Sequence, residues 1–150
     1  MVNLFGKLEQ NMNINILNTF PFYSGPVEAG FPSPANDHIE SSINLNDHLI
    51  LRPAATFITR AKGRSMIGAG IYDGDLLIVD RSLEVCEGCI VIAALNNELT
   101  VKRVEKCRAQ TFLVSENKDY PKIEIREEME VVIWGVVTNV IHKLYPPDGK

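Results

Sequence analysis

The sequence predicts a small, mostly β domain, a sandwich or coiled sheet, preceded by an extended N-terminal arm and one or two short helices. Three observations point to that class. Short runs rich in β-branched and aromatic residues recur every ~8–12 residues after position 54, with turn formers between them. The first 35 residues are dense in asparagine, glycine and proline, which leaves little room for regular structure. Finally, 150 residues, 45% hydrophobic and 23% charged, are most simply one soluble globular domain with a core of its own.

Each element has its own signal. In the arm, Asn3, Asn11, Asn13, Asn15 and Asn18 give way to Pro21, Gly25, Pro26, Gly30, Pro32 and Pro34. Phe20, Phe22, Tyr23, Val27 and Phe31 give this arm an anchor but no core. His38 to Ile50 suits one or two short helices, with Asn46 or Asp47 as the cap of the second. Ala55 to Ala61 alternates with period two and reads as a strand. Leu76 to Val79 is a short apolar run after the turn Asp73-Gly74-Asp75, and Gly88 to Leu95 follows it. Asn96-Asn97 marks a hairpin turn into a strand from Glu98 to Val104. Thr111 to Val114, Lys122 to Ile125 and the long Glu130 to Leu144 complete the set, with no internal repeat.

Composition narrows the function. A net charge of −4 disfavours a chain whose main task is gripping phosphates, so protein partners are expected and sequence-specific DNA binding is not. The first twenty residues carry Lys7 and Glu9 and lack the apolar core of a secretory signal. Val131 to Ile141, broken by Thr138 and Asn139, falls short of the roughly 20 residues of a membrane span. A soluble, cytoplasmic protein is the expectation. Three cysteines, an odd number, suit a reducing compartment. Cys86-Glu87-Gly88-Cys89 has the spacing of half a zinc site, but only Cys107 offers a third ligand and His38, His48 and His142 are scattered. We therefore expect no metal and no cofactor, and read the pair as two thiols at a turn leading into a strand.

The chemistry gathers at three places. Ser65 follows the strand 55–61 in Lys62-Gly63-Arg64-Ser65-Met66, and Lys102 lies 37 positions later in Leu99-Thr100-Val101-Lys102. A serine hydroxyl needs an adjacent base to act as a nucleophile, and no histidine lies where it obviously serves this one. A lysine can be that base if burial lowers its pKa enough to leave the amine neutral. Strand alternation puts Thr100, Lys102 and Val104 on one face, and Leu99, Val101 and Arg103 on the other, where Arg103 reaches water. The backbone N–H groups of Arg64 and Ser65 could then form an oxyanion hole. Both residues also have plainer readings: Ser65 as the cap of a short helix beginning at Met66, and Lys102 as a solvated strand lysine. In the arm, Ala29-Gly30 is a small pair that a narrow protease cleft accepts, and Val27 could fill a neighbouring pocket.

Four segments carry a family resemblance: Ala29 to Ala35, Gly63 to Ile67, Ile71 to Asp80, and Leu99 to Lys102. In order and separation they resemble the UmuD proteins, which belong to the LexA-type, S24 group of Ser-Lys self-cleaving peptidases. The likeness runs from about Thr19 to Leu144. It implies a LexA- and signal-peptidase-like coiled β-sheet domain over residues 30–150, and an arm, 1–29, removed by self-cleavage. Ser65 would attack the Ala29 carbonyl, Lys102 would take the hydroxyl proton, and the Arg64 and Ser65 amides would hold the oxyanion. In this family a RecA filament on single-stranded DNA stimulates the cut. The shortened product, a homodimer like its precursor, joins a UmuC-type Y-family polymerase for translesion synthesis in the SOS response.

Two departures stand out. Arg64 occupies a position where an acidic or small residue is more usual, and could help keep Lys102 neutral if it lies close, or lie in solvent with no effect. Ala29-Gly30 replaces the Cys-Gly pair common in UmuD proteins. Three rivals are weighed against the main reading. A LexA-type repressor needs a helix-turn-helix ahead of the cut, for which the 29 residues before Gly30 are unsuited. A catalytically silent polymerase-binding module would not need both Ser65 and Lys102, and a signal-peptidase relative would need a membrane anchor.

Overall fold

A computed structural model describes residues 18–23, 27–31 and 39–145. The chain divides into two compact units, Met1–Leu51 and Arg52–Lys150, each treated by itself. The expected mostly β class is what the protein has.

In the first unit, β1 (Thr19–Tyr23) pairs antiparallel with β2 (Ile39–Asn44), running from Thr19 opposite Asn44 to Tyr23 opposite Ile39. This corrects two expectations. The arm holds a strand at Thr19–Tyr23, because each strand of a two-stranded ribbon has an open edge where a proline such as Pro21 is tolerated. The segment expected to be helical is half strand, and only α1 (Leu45–Leu49) is helical. Its cap is Asn44, whose Oδ1 accepts the N–H groups of Asn46 (3.0 Å) and Asp47 (3.4 Å), so neither of those two is the cap. Beyond Asn18, β1 and residues 27–31, the expected arm, including Gly25, Pro26, Pro32 and Pro34, lies outside the described residues, as do His38 and the tail after Tyr145.

The second unit is one antiparallel sheet of seven strands. These are β3 (Thr56–Arg60), β4 (Leu76–Asp80), β5 (Ile90–Leu95), β6 (Glu98–Cys107), β7 (Gln110–Val114), β8 (Ile123–Glu124) and β9 (Val131–Ile141). They lie side by side in the order β3-β4-β9-β5-β6-β7-β8. The β5–β6 hairpin turns where expected, at Asn96-Asn97, both with positive φ (48° and 67°), the backbone of a tight two-residue hairpin. β6 runs three residues past its expected end at Val104, because pairing with β7 continues to Cys107 opposite Gln110.

The long last strand sits between β4 and β5, and two irregularities bend it. Trp134 is skipped in the register against β5, and Thr138 in the register against β4. Such bulges increase local twist and let a sheet coil. Between them Gly135 passes so close to β4 that a Cβ there would lie 2.8 Å from Val79 Cγ1 and 2.9 Å from the Asp80 carbonyl oxygen.

Two buried clusters result. One holds Ala61, Met66, Ile71, Leu77, Val79 and Ile92, the other Val91, Ala93, Val104, Leu113 and Val136. Ile92 falls in the first, whereas its neighbours Val91 and Ala93 fall in the second, as strand alternation requires. One further expectation is corrected in the β4–β5 connection. Cys86 and Cys89 are joined as a disulfide rather than standing as two thiols, and Cys107 is free and exposed.

Candidate functional site

Ser65 owes its position to the reversal after β3. The Ala61 N–H donates to the Asp75 carbonyl (2.8 Å), and the Gly63 N–H donates to Asp73 Oδ1 (2.6 Å). Gly63 itself has φ +90°, a backbone conformation that favours glycine. The next buried side chain, Met66, roots the turn in the first hydrophobic cluster. A single 3₁₀ turn, Ile67–Ala69, follows, with Met66 at its N-cap and no side-chain capping bond. Ser65 is therefore not a helix cap.

Lys102 comes from the other cluster's side of the sheet. It pairs across β5 with Val91, shares a strand face with the buried Val104, and is only 8% exposed. The solvated-lysine reading does not apply. Its Nζ lies 3.4 Å from Ser65 Oγ, 2.9 Å from Thr100 Oγ1 and 3.1 Å from the Val101 carbonyl oxygen. Burial lowers its pKa below the ordinary lysine value, since a charged amine is penalised away from water. A neutral amine has two N–H bonds and one lone pair. Two N–H bonds can serve Thr100 and the Val101 carbonyl, which leaves the lone pair facing the Ser65 hydroxyl. The Arg64 side chain is exposed, the second of its two expected placements, and burial is the cause of the Lys102 shift. The contact between Ser65 and Lys102 joins a turn rooted in one cluster to a strand face rooted in the other.

The backbone around Ser65 is held by a segment, Ser115 to Asp119, that the sequence does not single out. The Gly68 N–H donates to the Glu116 carbonyl (2.8 Å), and a Cβ on Gly68 would lie 2.6 Å from that same oxygen. Asn117 Nδ2 donates to the Arg64 carbonyl at 2.9 Å. Arg103, expected to reach water, is partly exposed and also pairs with Glu116 and donates to the Gly88 carbonyl (2.6 Å). Nothing in the local run Ser115-Glu-Asn-Lys-Asp119 marks it out, because its partners around Ser65, Arg64 and Gly68, lie some fifty residues away. The N–H groups of Arg64 and Ser65 meet no acceptor among the described residues.

Open space flanks the pair on two sides. A cavity of about 170 Å³ is lined by Arg60, Gly63, Ser65, Met66, Leu99 and Thr100. A second, of about 360 Å³, is lined by Leu99, Thr100, Lys102 and Ser115 among others. Ala29 and Gly30 belong to the first unit, where both are exposed and their neighbours Val27 and Phe31 are more than 90% exposed. Among the described residues, no group of three or more His, Cys, Asp or Glu side chains is placed to hold a metal ion. No helix among them is long and apolar enough to cross a membrane.

Comparison with known proteins gives a consistent answer. Residues 21–138 match the family model described as Peptidase S24-like. Protein MucA of Escherichia coli is 44% identical over 124 residues, 82% of this chain and 84% of that protein. Protein ImpA of Shigella flexneri is 45% identical over 123 residues, 82% of this chain and 83% of that one. LexA repressor 1 of Pseudomonas syringae pv. tomato is 40% identical over 120 residues, covering 79% of this chain but 59% of the repressor.

Proposed function

The chain belongs to the Peptidase S24-like family, and from that premise we propose that it is an SOS-response mutagenesis protein that cuts its own chain between Ala29 and Gly30. Ser65 Oγ attacks the Ala29 carbonyl carbon while its proton passes to the neutral Nζ of Lys102. The N–H groups of Arg64 and Ser65 receive the negative oxygen of the tetrahedral intermediate. As the bond from Ala29 to the Gly30 nitrogen breaks, Nζ returns the proton to the leaving amine. Water then hydrolyses the Ser65 ester, which releases residues 1–29. Thr100 keeps Nζ aimed at the hydroxyl. The small Ala-Gly pair suits a cleft with the modest space found beside Ser65.

One observation carries this reading: a buried lysine amine 3.4 Å from the serine hydroxyl, with acceptors for its two remaining N–H bonds. The MucA- and ImpA-type relatives, together with the UmuD resemblance, support the wider role. In that role a RecA filament on single-stranded DNA stimulates the cut in the cytoplasm. The processed homodimer then serves a UmuC-type Y-family polymerase in translesion synthesis.

Mass spectrometry of the purified protein incubated across pH tests the chemistry. The expected product begins at Gly30 and is absent from Ser65→Ala and Lys102→Ala. Below the Lys102 pKa the rate should rise about tenfold per pH unit, then level off, with a midpoint below the ordinary lysine value of ~10.4. Cutting elsewhere, or equal cutting by Ser65→Ala, would reject the assignment. The likeness to a LexA repressor favours a second reading, a DNA-binding repressor, which a gel shift showing sequence-specific operator binding would revive.

A further inference from the structure

Asn117 is absent from the reaction scheme above, yet it touches the backbone on which the scheme depends. Its carboxamide reaches back 53 positions to donate to the Arg64 carbonyl oxygen at 2.9 Å. The orientation of that carboxamide is fixed, because Oδ1 accepts the Asp119 N–H at 3.1 Å and so leaves Nδ2 to face Arg64. A trans peptide is planar, and its carbonyl and N–H point in opposite directions. The Arg64 carbonyl shares its plane with the Ser65 N–H. Holding that carbonyl from one side therefore aims the Ser65 N–H to the other.

The plane needs such a hold. Gly63, just ahead of it, has the widest backbone freedom of any residue and already sits at φ +90°. The Ile67 N–H adds only a long contact to the same carbonyl, at 3.5 Å. We propose that Asn117 is a positioning residue, which locks the Arg64–Ser65 peptide so that the Ser65 N–H points at the oxyanion. This role rests on the self-cleavage reading given above. It is separable from folding, because the bond from the Gly68 N–H to the Glu116 carbonyl keeps the segment docked without Asn117.

Two substitutions isolate the donor. Asn117→Asp preserves shape and the acceptor for the Asp119 N–H, but sets an oxygen against the Arg64 carbonyl. Asn117→Ser keeps a turn acceptor without adding charge and cannot reach Arg64. Two rates are measured in the full chain: cleavage at the alkaline plateau, where Lys102 is neutral, and labelling of Ser65 by a fluorophosphonate. The labelled adduct also places an oxygen against the Ser65 N–H. Both variants should melt like wild type yet cleave and label at least ~10-fold more slowly at the plateau, since a misaimed oxyanion donor costs a large part of what a deleted one does. A variant with the wild-type plateau and only a shifted pH midpoint would overturn the role of Asn117 and leave self-cleavage standing. Wild type that neither cleaves nor labels would overturn both.

Discussion

In the proposed reaction Lys102 would serve chemistry at the expense of stability. Its amine is buried beside Val91 and Val104, and burial lowers its pKa. For a lysine whose folded pKa lies below its unfolded value, the folded state binds fewer protons between the two values, so stability rises with pH across that window. Below the folded pKa the charged amine is held in a place that disfavours it. Lys102→Met keeps an unbranched side chain one atom shorter and removes the charge. It should raise stability at pH 7 by about 1 kcal/mol, the usual gain when a functional site is relieved of a costly group. Thermal melts at pH 7 and near pH 10 would check this, with the gain shrinking at the higher pH. The variant should show no self-cleavage at either pH. A variant less stable than wild type at pH 7 would mean that the contacts with Thr100 and the Val101 carbonyl outweigh the burial cost.

At the scale of elements, β9 joins the two halves of the sheet. It pairs with both β4 and β5, and its bulges at Trp134 and Thr138 bracket the close approach at Gly135. Gly135→Ala would push a methyl group against the Asp80 carbonyl and Val79, and backbone cannot rotate aside as a side-chain tip can. We expect a loss of about 1–3 kcal/mol in urea unfolding. Gly30→Ala meets nothing within 4 Å and should be silent in the same assay. The sequence made β4, β5, β6 and β9 readable because each is a run rich in apolar and β-branched residues with a turn signal beside it. It hid β1, where Pro21 argues against a strand unless the ribbon has open edges. It also hid the hold of Asn117 on Arg64, because a contact across 53 positions leaves no local periodicity. Ser65 and Lys102 are legible as candidates, but their proximity is not, because three strands stand between β3, which leads to Ser65, and β6, which carries Lys102.

For the molecule as a whole, the proposed cut must free the arm without dismantling what remains. Every residue of both hydrophobic clusters lies between Phe57 and Val137, far beyond the Ala29-Gly30 bond. All seven strands of the large sheet begin after Arg52. Removing residues 1–29 takes away β1 and leaves β2 without its partner strand, yet it removes no residue from either core. The stability of the second unit should therefore survive processing, which suits a reaction run once to produce a working subunit. A protein expressed from Gly30 onward should melt within ~4 °C of the uncut Ser65→Ala chain, equivalent to less than about 1 kcal/mol for a domain of this size. A fall of more than ~8 °C would show that the arm supports the core, and a single-use switch would then have to weaken the product it makes.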